Sequence, residues 1–197
     1  MSHKNLIKTG FRYTDENFED WFKDSKTNDF LDRIANYIGW IIINLNELEK
    51  IIDLCIQELM SQSESGNELI AIFQSELTYS GKVNTLMTVY GWHIKNIFEG
   101  KQKEKWQSKL KTLADALNEA GEIRNQYAHA YWHDISTKRF VKTRTKARRD
   151  GVYHWFRKFS VKEMKTDLKK IEKAVKLLDK FDQELLYQLQ RTTLIRT

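Results

Sequence analysis

The chain has 197 residues, 41% of them apolar and 30% charged, and a net charge of +6. This balance suits one globular domain, or one domain with an arm, and excludes a disordered chain. There is no proline and one cysteine, Cys55, which leaves long helices unbroken and excludes an internal disulfide or a thiolate zinc site.

The charge is unevenly spread. Between Lys138 and Lys158 stand nine Lys or Arg and a single acid, Asp150, a local charge of +8 that leaves −2 for the rest of the chain. A concentrated positive segment on a near-neutral body points to an anionic partner, nucleic acid first. The opening residues MSHKNLIKTG contain no apolar run of signal-peptide length. The richest apolar stretch, Tyr37 to Ile43, is too short to span a bilayer. The expectation is a cytoplasmic protein with no membrane partner.

In chain order, residues 1–27 are predicted as an N-terminal arm that packs on the body through Phe11, Tyr13, Phe18, Trp21 and Phe22. Residues 28–197 form the helical domain. A first long helix is predicted from Asn28 to Ser61, because Leu31, Ile34, Ile38, Ile41, Leu45, Leu48, Ile52, Cys55 and Leu59 recur at three- and four-residue steps. The polar stretch 61–67 then supplies a turn.

A second helix spans Glu68 to Phe98, its stripe running from Ile72 and Phe73 through Leu77, Val83, Leu86, Tyr90, Ile94 and Ile97. Ser80-Gly81 marks a break, with Ser80 capping the second half. A third helix runs from Lys103 to His133 through Leu110, Leu113, Leu117, Ala120, Ile123, Tyr127 and Ala130. The segment 138–158 lacks helical periodicity and centres on Asp150-Gly151, a turn signal, so it reads as a basic β-hairpin or ordered loop.

A fourth helix opens on Ser160-Val-Lys-Glu163, a capping-box pattern, with Met164, Leu168, Ile171, Val175, Leu178, Leu185 and Leu189 as its stripe. Trp40, Trp92 and Trp106 are read as packing residues. The fold class that follows is all-α, an up-and-down four-helix bundle with the basic insertion before the last helix.

The chain has no glycine-rich phosphate loop, dinucleotide fingerprint, serine elbow or HExxH. Chemistry-bearing residues concentrate late in the third helix, in Arg124-Asn125-Gln-Tyr127-Ala-His129-Ala-Tyr131-Trp132-His133. If the helix continues to His133, Asn125, His129 and Trp132 or His133 share a stripe with Arg124 beside it. Histidine titrates near neutrality and can move a proton to or from an RNA oxygen. Arginine stays charged and can grip a phosphate in two-point fashion. The RNA 2′-hydroxyl supplies its own nucleophile, so no metal or other cofactor is expected. A plainer alternative has Arg124 and His129 pairing with acids such as Glu119 and Glu122, and another has His129 and His133 holding a metal with Asp134 nearby.

The stretch 124–131, ArgAsnGlnTyrAlaHisAlaTyr, resembles the signature of the HEPN superfamily: an arginine, a polar residue, then a histidine four to six positions after the arginine. SGKVNTLM at 80–87 and the overall layout are also similar. The resemblance implies a metal-independent endoribonuclease that works as a homodimer, in a toxin–antitoxin or phage-defence setting. It carries Arg124, Asn125 and His129 over as catalytic. Tyr131 fits the extended Arg-x4-His-x-Tyr form, in which a partner nucleotidyltransferase modifies that tyrosine as antitoxin. The basic residues Lys138, Arg139, Lys142, Arg144, Lys146, Arg148 and Arg149 would hold the RNA backbone. The alternative is a noncatalytic module of the same type that binds RNA or protein.

Overall fold

A computed structural model describes residues 25–60, 64–128, 131–136, 139–148 and 151–196. Its elements are α1 (Ser25–Met60), α2 (Glu64–Ser75), α3 (Tyr79–Ile97), α4 (Gly100–Ala128), β1 (Tyr131–Ser136), β2 (Arg139–Arg148), β3 (Gly151–Phe159) and α5 (Val161–Arg196). Helices carry the body, as the apolar periodicity requires. The predicted arm lies outside the described residues up to position 24, and Ser25 to Thr27 belong to α1.

Four boundaries differ from the sequence reading. Glu64 to Asn67, expected in a turn, open α2. The predicted second helix is two helices, and the cap of its second half is Thr78, not Ser80. Thr78 is extended (φ −68°, ψ 161°) and its Oγ1 accepts a hydrogen bond from the Gly81 N–H at 3.2 Å. The fourth helix begins at Gly100, whose φ of 51° is one that glycine adopts without strain. It ends at Ala128, five residues before the expected end, because Tyr131–Ser136 pairs as a strand with β2. Aromatic and β-branched residues favour that choice.

The expected hairpin is present as β2 and β3, and β1 extends it to a three-stranded antiparallel sheet in the order β1-β2-β3. The ladder runs from Phe140 opposite Phe159 to Arg148 opposite Gly151. On the other side Tyr131 faces Thr143 and Asp134 faces Phe140, with an irregularity between Asp134 and Ser136.

The chain forms two compact units: residues 1–42 with 124–168, and residues 43–123 with 169–197. The second has helices joined by short connections at 76–78 and 98–99 among its described residues. Leu45, Leu48, Ile52, Ile56, Leu86, Tyr90, Ile94, Leu113, Leu117, Ile171, Leu178 and Leu185 are buried there. Its aromatic side chains form a chain: Phe98 stacks on Trp106 at 5.0 Å, Trp106 meets Phe181 edge-on at 5.4 Å, and Phe181 tilts against Tyr90 at 4.9 Å. Each such pair is worth about 0.5–1.5 kcal/mol beyond the area it buries.

Polar contacts pin the helices of this unit. Lys82 on α3 reaches Asp53 at 2.6 Å and Glu49 at 3.1 Å on α1. Gln74 on α2 accepts from the Gln57 amide at 2.8 Å and donates to the Asp53 carbonyl at 2.9 Å. Three expected packing positions are surface positions instead: Ile72, Phe73 and Trp92 are exposed. Trp40, in the first unit, is exposed as well, whereas Trp106 is buried as expected.

In the first unit Ile34, Ile41, Tyr127 and Met164 are buried. Its α5 portion starts on the predicted capping box. The Glu163 N–H donates to Ser160 Oγ at 3.2 Å, and the Ser160 N–H donates to Glu163 Oε2 at 2.9 Å. Lys165 Nζ lies 5.8 Å from the centre of the Tyr37 ring.

Candidate nucleic-acid interface

The residues predicted as catalytic, RNA-binding or modified all belong to the first unit by its residue ranges. Arg124 and Asn125 stand in the last turns of α4, Arg124 half-buried and Asn125 exposed. Tyr127, two residues on, is buried, and its hydroxyl donates to Asp167 Oδ2 on α5 at 3.0 Å. That bond explains why Tyr127 is a core residue: the ring is buried while the hydroxyl finds an acceptor. It also sets the rotational position of the helix end that carries Arg124 and Asn125.

His129 lies outside the described residues, as do Lys138 and Arg149. The helical stripe Asn125–His129–Trp132 does not form, since Trp132 and His133 are strand residues of β1. The metal reading placed His129 and His133 on one helix, and His133 is instead a strand residue of β1. Among the described residues no three His, Cys, Asp or Glu side chains gather as a metal site. Of the acids offered as plainer partners, Glu119 bridges to Lys170 at 2.9 Å. Tyr131 is the first residue of β1, opposite Thr143.

The ladder sorts the basic residues. Alternate residues of a strand share a face, and directly opposed residues share it too. Lys142, Arg144, Lys146 and Arg148 therefore occupy one face of β2, together with Tyr153, Trp155 and Arg157 of β3 and Trp132 of β1. Phe140, Phe159 and Asp134 have the same parity. The other face holds Val141, Thr143, Thr145 and Ala147 with Val152, His154, Phe156 and Lys158. Arg139 falls on that second face, apart from the four other basic residues predicted with it on β2. The sequence reading found the positive charge but missed Tyr153, Trp155 and Arg157 as its companions. The signal was present as a two-residue alternation in both RFVKTRTKAR and GVYHWFRKF.

In the second unit an open cleft of about 270 Å³ is lined by Phe98, Lys105, Trp106, Lys109, Glu184 and Tyr187, among others. None of the residues predicted for catalysis or RNA contact lines it. The Lys109–Glu184 ion pair at its wall holds the Glu184 carboxyl below its ordinary value, chiefly through the hydrogen bond from the lysine. No described helix is long and apolar enough to cross a membrane.

No protein-family model matches the chain, and no curated protein or solved structure matches it.

Proposed function

We propose that the protein is a metal-independent endoribonuclease of HEPN type, acting as a homodimer in a toxin–antitoxin or defence setting. What carries the reading is one conjunction. Arg124 and Asn125 close α4 in the same compact unit that holds a sheet with five Lys or Arg residues on one face. The resemblance of 124–131 to the HEPN signature joins the two.

In this reading the 2′-oxygen attacks the adjacent phosphorus as His129 takes the hydroxyl proton. The bond from phosphorus to the 5′-oxygen breaks, and that oxygen takes up a proton from the imidazolium or from water. The products are a 2′,3′-cyclic phosphate and a 5′-hydroxyl, with no net water consumed. Arg124 stabilises the charge that builds on the phosphoryl oxygens, and Asn125 orients the phosphate or the imidazole. A second copy would bring a second motif to a cleft formed between the two subunits. Tyr131 is the residue an antitoxin nucleotidyltransferase would modify.

The test is incubation of the purified chain with end-labelled single-stranded RNA in EDTA. Fragments ending in cyclic phosphate, formed at an undiminished rate with the chelator, are expected. Binding that weakens with salt but yields no fragments would replace the nuclease with a noncatalytic RNA-binding module. Cleavage that stops in EDTA and returns with a divalent ion would overturn the metal-independent chemistry.

A further inference from the structure

We infer that the β1-β2-β3 sheet is a binding platform for single-stranded RNA, with Trp132, Tyr153 and Trp155 as base-stacking residues set among the cations of one face. Single-strandedness comes from the sheet itself, whereas RNA rather than DNA rests on the endoribonuclease reading above.

The register carries the inference. On β2 the basic residues Lys142, Arg144, Lys146 and Arg148 come at every second position, without interruption. Their partners across the ladder are Arg157 opposite Lys142, Trp155 opposite Arg144 and Tyr153 opposite Lys146. Trp132 stands opposite Lys142 on the other side. Five cations and three large aromatic residues with hydrogen-bonding tips thus share one face with a single acid, Asp134. The β2 strand has ten residues, which at about 3.4 Å each makes a track of roughly 30 Å.

Composition decides what such a face is for. Five cations stand against a single acid on the same face, an excess of charge that is costly to desolvate, so a composition of this kind suits water or an anion. Duplex nucleic acid would use the cations but has no need of the aromatics, because its bases are stacked already. Single strands need both: charge to follow the phosphates, and rings on which splayed bases stack. The opposite face also carries Arg139, His154 and Lys158, but Val141, Thr143, Thr145, Ala147, Val152 and Phe156 make it the more apolar of the two. A protein partner with an acidic surface would use the charge without the alternation of rings and cations.

The experiment measures binding of a labelled 2′-O-methyl oligouridine of about 12 nucleotides, within the range of known single-strand sites, to the full chain. The blocked 2′-oxygen prevents cleavage, so binding is read apart from catalysis. The wild-type chain should prefer this oligonucleotide to a duplex of equal length. Tyr153→Ala with Trp155→Ala should weaken binding about tenfold or more, while Trp155→Phe should restore much of it. Lys146→Gln should lower the slope of log K against log salt by about 0.7. Thr145→Val on the other face should change neither.

Ultraviolet cross-linking of the wild-type chain, which needs no variant to fold, should attach the oligonucleotide within 151–157 or at Trp132. Equal affinity for duplex, indifference to loss of both aromatics, or cross-links only outside the sheet would overturn the platform. So would equal loss from Thr145→Val. Cleavage that persists while these binding results fail would sink the platform alone. Binding as described without any cleavage of ordinary RNA would sink the nuclease alone.

Discussion

A methyl group added at Gly121 would sit 2.8 Å from Cε1 and 3.0 Å from Cδ1 of the Tyr79 ring. The ring has little room to yield, because its hydroxyl donates to the Leu117 carbonyl at 3.0 Å and the side chain is buried. Gly121→Ala is therefore expected to destabilise the protein by about 1–3 kcal/mol, less the gain in helix propensity of up to ~1 kcal/mol. Urea unfolding checks it; an alanine variant as stable as the wild type would mean that Tyr79 moves freely. Lys82 acts at the same scale. Burial alone would lower its pKa, but hydrogen bonds to Asp53 and Glu49 outweigh that and hold it above the ordinary value. The stability it contributes is thus present through neutral pH and lost as pH rises through the raised value. Lys82→Ala removes the cation from two carboxylates that are only 21% and 24% exposed, a cost of about 1–3 kcal/mol at pH 7, measurable as a drop in melting temperature. Cys55 answers to burial first and to nearby Asp182 next, which push its thiol up to about 12. It is a packing residue, as its place in an apolar run implied.

At the scale of elements, stripes of apolar residues located α1, the second half of the predicted second helix, α4 and α5 well. Ends were legible only where a motif was unambiguous. Ser160 and Glu163 form both bonds of the capping box, so Ser160→Ala should cost about 1 kcal/mol in an unfolding titration, and a neutral result would contradict the cap. Thr78 and Ser80 are both good caps, and nothing local ranks them; the structure chooses Thr78. The C-terminal end of α4 was misjudged for a related reason. Tyr131, Trp132 and His133 can extend a helix as well as form a strand, and pairing with β2, farther along the sequence, decides for β1. Ile72 and Phe73 have helical spacing but lie on the exposed side of α2, because a stripe does not say which helix, if any, covers it. Asp182 on α5 could not be foreseen as a core acid. It is buried, accepts the Tyr90 hydroxyl at 2.7 Å, and its carboxyl is raised by that burial against the opposing hydrogen bonds from Tyr90 and Cys55. A raised carboxyl favours folding below its unfolded value near 3.9, and that contribution is lost as pH rises through the folded value. Asp182→Asn keeps an acceptor for Tyr90 without the charge. Its melting temperature should gain on the wild type's between about pH 4 and pH 7; a gap that is constant or shrinks contradicts the assignment.

For the whole molecule, the residues proposed for function and the pinned helices of the second unit are differently distributed. The second unit holds the linked aromatic rings and the Lys82 and Gln74 contacts, while the first holds Arg124, Asn125 and the basic sheet. Charge was legible in the sequence because it is additive along the chain. Its division between two faces was not, because that depends on register, which one extra residue in a strand would invert. Arg139 shows the difference: by composition it belongs with Lys142 and Arg144, by register it does not. The central claim is that an imidazole next to the end of α4 moves a proton during RNA cleavage, work worth roughly 10²–10⁴-fold in rate. The most direct measurement compares RNA cleavage by the wild-type chain and by His129→Ala, both prepared identically and shown to melt alike. The variant is predicted to cleave at least about 10²-fold more slowly while still binding the blocked oligouridine as the wild type does. Cleavage at the wild-type rate would contradict the account and remove His129 from the chemistry.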